Sequence, residues 1–345
     1  MSKKATIRDV AREFGTAIST VSRVINGNYP VSEDARRRVL DAIAALDYRP
    51  DGVARSLKAK KTYLVGVVVA DLSNLFFMQL VKGIERALAL DGYSIIIADH
   101  EENPDKERAI VEMLLEKKVA AIITTTCHSS ATYYKSVQTT GVPIVFVDRM
   151  IESFEADGVL EDNEANAYEL TRYLLKKGHR RIAAVTGDVA VHTAASRYKG
   201  YCRALREFGI EPSPEYEVGG RHGTSYEGIL EMFHRLPRDA WPTAVFASNN
   251  KRAEGTLHAC FDLGLHVPDD LSVVSYGDIS LPWMFSLKLT HIDQDMIRIG
   301  QKTGELVLRK IKNPQGAYKE CILNSQIIYG NSVRDLTVPR ETTEK

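Results

Sequence analysis

From Tyr63 to about residue 311, short apolar runs alternate with segments of helical periodicity, and few architectures accommodate that pattern. The runs are Tyr63–Ala70, Tyr93–Ala98, Val119–Thr124, Pro143–Val147, Arg181–Thr186, Thr243–Ala247 and Leu271–Ser275. Apolar residues recur at helical spacing over 75–91, 104–118, 164–177, 194–208, 224–235, 250–264 and 295–311. Strands separated by helices pair in parallel, with helices on both faces of the sheet. The strands are too many for one comfortable sheet, and Asp148–Asn163 interrupts the series. The expected body is therefore two doubly wound α/β lobes with a cleft between them. In such sheets, ligands bind beyond the carboxyl ends of the strands.

Sixty-two residues precede this region, and their character differs. Residues 1–61 hold 13 Lys and Arg against 7 Asp and Glu, a net of +6. The remainder holds 32 against 38, a net of −6, so the formal charge of zero hides a basic head on an acidic body. That asymmetry suits a polyanion-binding module attached to something else. No apolar run of the 345 residues approaches the roughly 18 residues that suggest a membrane span. The start, Met1-Ser2-Lys3-Lys4-Ala5-Thr6, leads into a polar helix, so no secretory signal and no membrane association are expected. Cys127, Cys202, Cys260 and Cys321 are scattered, which fits a reducing cytoplasm and argues against a metal site.

Within the head, Ile7, Val10, Ala11 and Phe14 fall on one helical face. Thr6 with Asp9 is close to a capping box, and Gly15 can take the left-handed conformation that ends the helix. A second helix begins near Ala17 or Ile18, with Val21, Val24 and Ile25 inward and Ile18, Ser19, Ser22 and Arg23 on the other face. Two short helices joined by a tight turn with glycine form a helix-turn-helix, whose second helix can enter the major groove of DNA. Ser32-Glu33-Asp34 opens a third helix, with Val39, Leu40, Ile43 and Leu46 as its apolar stripe and Arg36, Arg37 and Arg38 beside the opposite face. Pro50 ends the module, and Asp51–Lys58 is too short for an independent helix.

Thr20-Val21-Ser22-Arg23-Val24-Ile25-Asn26, Tyr48-Arg49-Pro50 and Val53-Ala54-Arg55-Ser56-Leu57, followed by a long α/β region, resemble the lactose-repressor (LacI/GalR) family along essentially the whole chain. The resemblance implies a layout: helix-turn-helix domain 1–50, hinge helix and linker 51–61, first lobe 62–162 and 292–322, second lobe 163–291 and 323–336, and polar tail 337–345. The body would be similar to periplasmic sugar-binding proteins. The resemblance also implies a homodimer on palindromic double-stranded operator DNA, with Thr6, Thr16, Ala17, Ile18, Ser19, Thr20, Ser22, Arg23 and Asn26 at the interface. By family position Ile18, Ser19 and Arg23 reach base edges, while Thr20 and Ser22 touch phosphate. Val53, Ala54, Leu57 and Lys58 would belong to the hinge, with Leu57 as the minor-groove wedge. The tail Asp335–Lys345 lacks leucine heptads, so the helical tetramerisation segment of some relatives is absent.

Polar residues at strand ends are candidates for a small-molecule effector. Asp71 and Asn74 follow the first strand, with Phe77 at the start of the next helix; Asp148 and Arg149 end the fourth. Thr193, Arg197, His222, Asn249, Lys251, Asp278 and Gln294 complete the set. Two departures from the family pattern stand out: Asn249-Asn250 replaces Asn-Asp, and Gly277 stands where a pocket aspartate is usual. Losing that acid while keeping Arg149, Arg197 and Lys251 points to an anionic sugar, since guanidinium and ammonium groups recognise phosphate and carboxylate. If Asp71, Asp99 or Asp148 neutralises Arg149 or Lys251, a neutral sugar is expected instead. The effector would act allosterically, either releasing the protein from its operator or recruiting it. No Walker sequence, Gly-x-Ser-x-Gly or Gly-x-Gly-x-x-Gly fingerprint occurs. Cys127-His128, adjacent in sequence, reads as packing rather than catalysis, so neither enzyme activity nor cofactor is expected. A sugar-processing enzyme, or a solute-binding protein with an incidental N-terminal hairpin, is the alternative.

Overall fold

Thr6 and Asp9 open the first helix by sharing one carboxylate: Asp9 Oδ2 accepts from the Thr6 backbone N–H at 2.9 Å and from its hydroxyl at 2.6 Å. The computed structural model describes residues 5–26, 30–48, 62–128, 130–151, 154–219, 224–279 and 286–338. The chain divides into two compact units, Met1–Tyr63 and Leu64–Lys345.

In the first unit, α1 (Ile7–Phe14) ends at Gly15 in the left-handed conformation, φ 67° and ψ 38°. The turn leads into α2 (Ile18–Asn26), and Ser32 caps α3 (Glu33–Ala45) by accepting from the Ala35 N–H. Val10, Ala11, Val21, Val39 and Ala42 form the core, closed by Phe14, Val24, Ile25, Ile43 and Leu46. Leu40 is not part of it: its side chain is 49% exposed. At about 100° per residue, Leu40 sits one step from Val39, and the inward face runs through Val39, Ala42 and Ile43 instead. The neighbouring arginines serve the surface of this unit, Arg37 pairing with Asp34 at 3.1 Å and Arg38 lying 4.7 Å from the Phe14 ring centroid.

The second unit holds two six-stranded sheets. The first has the order β11-β5-β4-β3-β1-β2, all parallel: β1 Leu64–Val69, β2 Ser94–Asp99, β3 Ala121–Thr124, β4 Ile144–Val147, β5 Asp157–Glu161 and β11 Glu320–Leu323. The second has the order β12-β10-β9-β8-β6-β7: β6 Ile182–Val185, β7 Glu217–Val218, β8 Ala244–Ala247, β9 Ser272–Tyr276, β10 Thr290–Asp293 and β12 Gln326–Ile328. Only the β10–β12 pair in it is antiparallel. Each sheet is covered on both faces, which is why its strands are near-continuous Val, Ile and Ala rather than alternating. Among the described residues no helix is long and apolar enough to cross a membrane.

Three connections pass between the sheets. After β5 the chain enters helix Asn163–Lys176, which packs on the second sheet. After β10 it returns through helix Met296–Lys312 to the first, and after β11 it crosses again to β12. Sequence reading passed over β5, which falls inside the stretch taken as a boundary. Asp157-Gly158-Val159-Leu160-Glu161 has poor strand propensity. Tertiary partners compensate: the fully buried Asp157 carboxylate pairs with Arg309, stands 3.5 Å from Lys310 Nζ, and accepts from the Lys319 N–H at 3.0 Å.

One close approach positions the first sheet's outer layer. Helix Leu75–Ala89 crosses helix Met296–Lys312 at Gly83 and Gly300. A Cβ on Gly83 would lie 2.2 Å from Ile297 O, and one on Gly300 2.2 Å from Leu80 O. Only glycine at both positions lets the backbones approach so closely.

Candidate functional site

On α2 the helical period separates two faces. Val21 is fully buried, while Ala17, Ser19 and Arg23 are exposed and Ile18 is 44% exposed. Thr16, Thr20 and Ser22 are half-buried at the border, Thr6 is exposed at the start of α1, and Asn26 closes α2. The exposed face of α2 thus presents one apolar side chain, Ile18, with two polar ones, Ser19 and Arg23. Val53, Ala54, Leu57 and Lys58 lie outside the described residues, as does His222.

A second site lies between the lobes of the body, where the strand ends face one another across a cavity of about 800 Å³. The first lobe contributes Glu102, Cys127, His128 and Arg149 to its wall, and the second Asp188, Thr193, Arg197, Ser248, Asn249 and Arg252. Asp148 ends β4 in the left-handed region, φ 65°, which is uncommon for any residue but glycine and tolerated best by Asn and Asp. That turn sends Arg149 into the cleft, where its two terminal nitrogens each donate to Glu102 at 2.7 Å. Its Nε, 3.5 Å from Asp148, makes no hydrogen bond. Burial opposes the charge of Arg149, and the Glu102 carboxylate outweighs it and holds the pKa up.

Arg197, opposite, is buried and held by protein groups. It donates through Nε to Asn163 Oδ1 at 2.7 Å and through Nη1 to the Ser248 carbonyl at 2.8 Å. Its guanidinium lies 3.7 Å from the Tyr276 ring centroid and 3.9 Å from Asp148. Asp148 therefore sits between both arginines. The neutralisation considered from sequence does occur at Arg149, through Asp148 and through Glu102, which sequence reading missed. At Lys251 the partner is the adjacent Glu254, 3.1 Å away at the surface.

A smaller chamber of about 280 Å³ adjoins this one, walled by Asn74, Phe76, Lys251, Gly277, Asp278 and Gln294 among others. Asn74 and Asn250 divide the two by exchanging side-chain hydrogen bonds across the cleft, at 2.9 Å and 3.4 Å. Phe77 is not on this wall. It packs at 6% exposure in the first-lobe core, and its neighbour Phe76 faces the chamber. Asp71 turns back to accept from the Ser73 N–H at 2.8 Å and lines neither chamber. Asp278 is mostly solvent-exposed on the chamber rim. Gly277 has φ 91°, and a Cβ there would press on Gln294 Oε1 at 2.8 Å, so glycine is required by backbone and neighbour alike.

Gln294 belongs to the hinge between lobes. The buried Glu161 carboxylate, at the end of β5, accepts from Gln294 Nε2 after β10 and from Ser325 Oγ after β11. One side chain thus ties together all three connections. Burial raises the Glu161 pKa, and these donors offset the shift only in part.

His100, Glu107 and Cys127 cluster within 4.8 Å behind the cleft, which invites a metal reading. The geometry rejects it. His100 Nε2 stands 3.1 Å from the Thr125 carbonyl, and its Nδ1 accepts from the Glu102 N–H at 3.1 Å, so both ring nitrogens are committed. Glu107 accepts from Thr124 Oγ1, Thr126 Oγ1, Cys127 N and Sγ, and the Tyr134 hydroxyl. Burial beside that carboxylate pushes the Cys127 thiol well up, the opposite of an activated nucleophile. The network braces the loop that carries Cys127 and His128 onto the cavity wall.

Arg252 was missed as well. It projects into the larger cavity one residue after Lys251, which points to the smaller chamber and the surface. The signal was the run Asn249-Asn250-Lys251-Arg252 at a helix start, where two adjacent basic residues point about 100° apart.

The arrangement matches known proteins over its length. A family model described as "Bacterial regulatory proteins, lacI family" matches residues 6–51, and one described as "Periplasmic binding proteins and sugar binding domain of LacI family" matches residues 62–332. The chain is 36% identical over 296 residues to catabolite control protein A of Priestia megaterium, covering 86% of this chain and 89% of that one. It is 33% identical over 334 residues to the HTH-type transcriptional repressor PurR of Vibrio campbellii, covering 96% and 99%. The solved lac repressor dimer bound to operator and the anti-inducer ONPF has the same fold, with a TM-score of 0.84, 24% identity, and coverage of 96% of this chain and 100% of that one. PurR and the lac repressor are named as repressors rather than enzymes, and the present chain, a DNA-binding regulator with a ligand-binding body, belongs to the LacI family of bacterial regulatory proteins.

Proposed function

We propose that this regulator represses carbohydrate-metabolism genes from a palindromic operator, bound as a homodimer, and that a sugar or sugar derivative in the interlobe cleft controls it. The observation that carries the reading is the cleft itself: a cavity of about 800 Å³ walled by both lobes, whose three connections meet at Glu161. A ligand touching both walls stabilises one closure of the lobes over another, as differential binding requires. Closure then alters the spacing of the two copies of residues 51–61, which fold as hinge helices on DNA with Leu57 as wedge. Operator affinity follows, with a coupling of typically about 1–3 kcal/mol.

Domain boundaries follow the same logic: 1–50 reads DNA, 51–61 links, 62–162 with 292–322 and 163–291 with 323–336 form the lobes, and 337–345 is a tail. Ile18 contacts a thymine methyl, Ser19 and Arg23 reach base edges, and Thr20 and Ser22 hold phosphates. Asn249, Arg149, Arg197 and Thr193 face the effector, and Asn74, Lys251, Asp278 and Gln294 flank it. The protein acts in the cytoplasm, on nucleoid DNA.

The test selects genomic fragments on the purified full-length chain, then titrates the selected fragment with metabolites in gel shifts. We expect one palindromic class to be retained and its affinity to change with a sugar or sugar derivative. Equal retention of scrambled duplex, with or without metabolites, ends this reading.

A further inference from the structure

We infer that Arg252 sets the charge of the effector: its guanidinium is the cleft cation kept for a phosphate or carboxylate on the ligand. The inference rests on the effector reading above and goes beyond it in assigning the anion to one residue that sequence reasoning passed over.

Of the three arginines that the described residues place on the wall of the larger cavity, two have protein partners for their charge. Arg149 is held bidentately by Glu102, and Arg197 is committed to Asn163, the Ser248 carbonyl and the Tyr276 face. Arg252 is half-buried on the same wall, and its side chain makes no hydrogen bond or ion pair among the described residues. Of the acids on that wall, Glu102 holds Arg149, and Asp188 accepts from the Ala190 N–H and has contacts of its own. Partial burial alone, with no anion to offset it, holds the Arg252 pKa down. A guanidinium has five donors, and withdrawing it from water without a partner is costly. The site therefore offers an entering anion a guanidinium that no described carboxylate holds.

Local structure supports that direction. Asn249 Oδ1 accepts from the Arg252 backbone N–H at 2.8 Å, which fixes the first turn of helix Asn250–Asp262 and so the side from which Arg252 leaves it. Across the same cavity, helix His192–Glu207 begins at Val191 with no side-chain cap, and Val191, Thr193 and Ala194 line the wall. The positive end of that helix adds to the field an anion would meet. The neutral part of the ligand then falls toward Arg197, Asn249 and Ser248, whose polar groups suit hydroxyls.

The test uses the full-length chain. Calorimetric titrations compare glucose, glucose 6-phosphate and gluconate, and melting temperatures are recorded with the neutral and the anion-exchange-retained fractions of a bacterial metabolite extract. We expect the response to be confined to acidic compounds or to the retained fraction. Arg252→Met should weaken it about 10- to 100-fold, the worth of a charge-assisted hydrogen-bonded pair, and Arg252→Lys should recover part of the loss. Phosphate and carboxylate probes separate the two anion classes. Undiminished binding by Arg252→Met, with the unliganded melting temperature unchanged, overturns the inference and leaves the effector reading standing. A response only to neutral sugars overturns the assignment of charge. No response in either fraction, by wild type or variant, removes the effector reading and this inference with it.

Discussion

Asn74 and Asn250, 176 residues apart in sequence, each donate to and accept from the other's amide across the interlobe cleft. Asn74 also caps helix Leu75–Ala89 through the Phe76 N–H, and Asn250 begins the helix that carries Arg252. The pair joins the first turns of one helix from each lobe. Each asparagine supplies both a donor and an acceptor, so the latch is neutral and independent of pH.

Asn250→Ala should loosen this closure. Removing a pair of neutral hydrogen bonds costs about 1 kcal/mol net, so the closed population should fall about fivefold relative to the open one. Small-angle scattering of the unliganded protein should report a larger radius of gyration for the variant. An unchanged scattering curve would show that the latch does not set closure.

Gly83→Ala should destabilise the body, because the new Cβ meets the Ile297 carbonyl, backbone that cannot rotate away. Overpacking of this kind costs about 1–3 kcal/mol, read as a lower denaturant midpoint with unchanged slope. Gly300→Ala should behave alike, since it approaches Leu80 O from the other helix.

Acid should weaken the body through two buried histidines. His100 and His179 both have pKa values lowered from 6.5, chiefly by burial. His179 stands 3.0 Å from both Thr243 Oγ1 and the Arg334 carbonyl. In the window below 6.5 the unfolded chain binds protons that the folded chain does not, so stability rises with pH there. The contribution is complete above 6.5 and is lost as pH falls toward the depressed folded values. Denaturant midpoints taken across that window should flatten for His179→Gln. A slope equal to that of wild type would assign the acid sensitivity elsewhere.

Arg23→Ala should collapse discrimination between operator and random duplex by about 1–3 kcal/mol, the worth of a bidentate guanine contact, while affinity for random duplex changes far less. Equal losses on both, measured by fluorescence anisotropy at one salt concentration, would make Arg23 a phosphate contact instead.

The elements legible in the sequence were those announced by local chemistry. Thr6 with Asp9, Gly15 and Ser32 marked helix ends, and they act as such, because caps and left-handed turns depend on the few residues beside them. The alternation of apolar runs and helical stretches specified parallel sheets for the same reason: burying a strand on both faces demands consecutive apolar side chains. Glycine at 277 was read as a lost acid, and the structure adds that backbone and Gln294 both require it.

What local chemistry could not express was decided by the fold. Strand Asp157–Glu161 reads as a linker and becomes a central strand only because Arg309, Lys310 and Lys319 arrive from residues far along the chain to neutralise and cap Asp157. Phe76 and Phe77, and Lys251 and Arg252, are pairs of neighbours whose roles depend on which way a helix is rolled against its sheet. Sequence determined that a basic helical headpiece precedes a two-lobed body with arginines at its strand ends. Only tertiary packing decided that Glu102 and Asp148 occupy Arg149 while Arg252 stays without an acidic partner among the described residues, since charges pair by distance in space and not by separation along the chain.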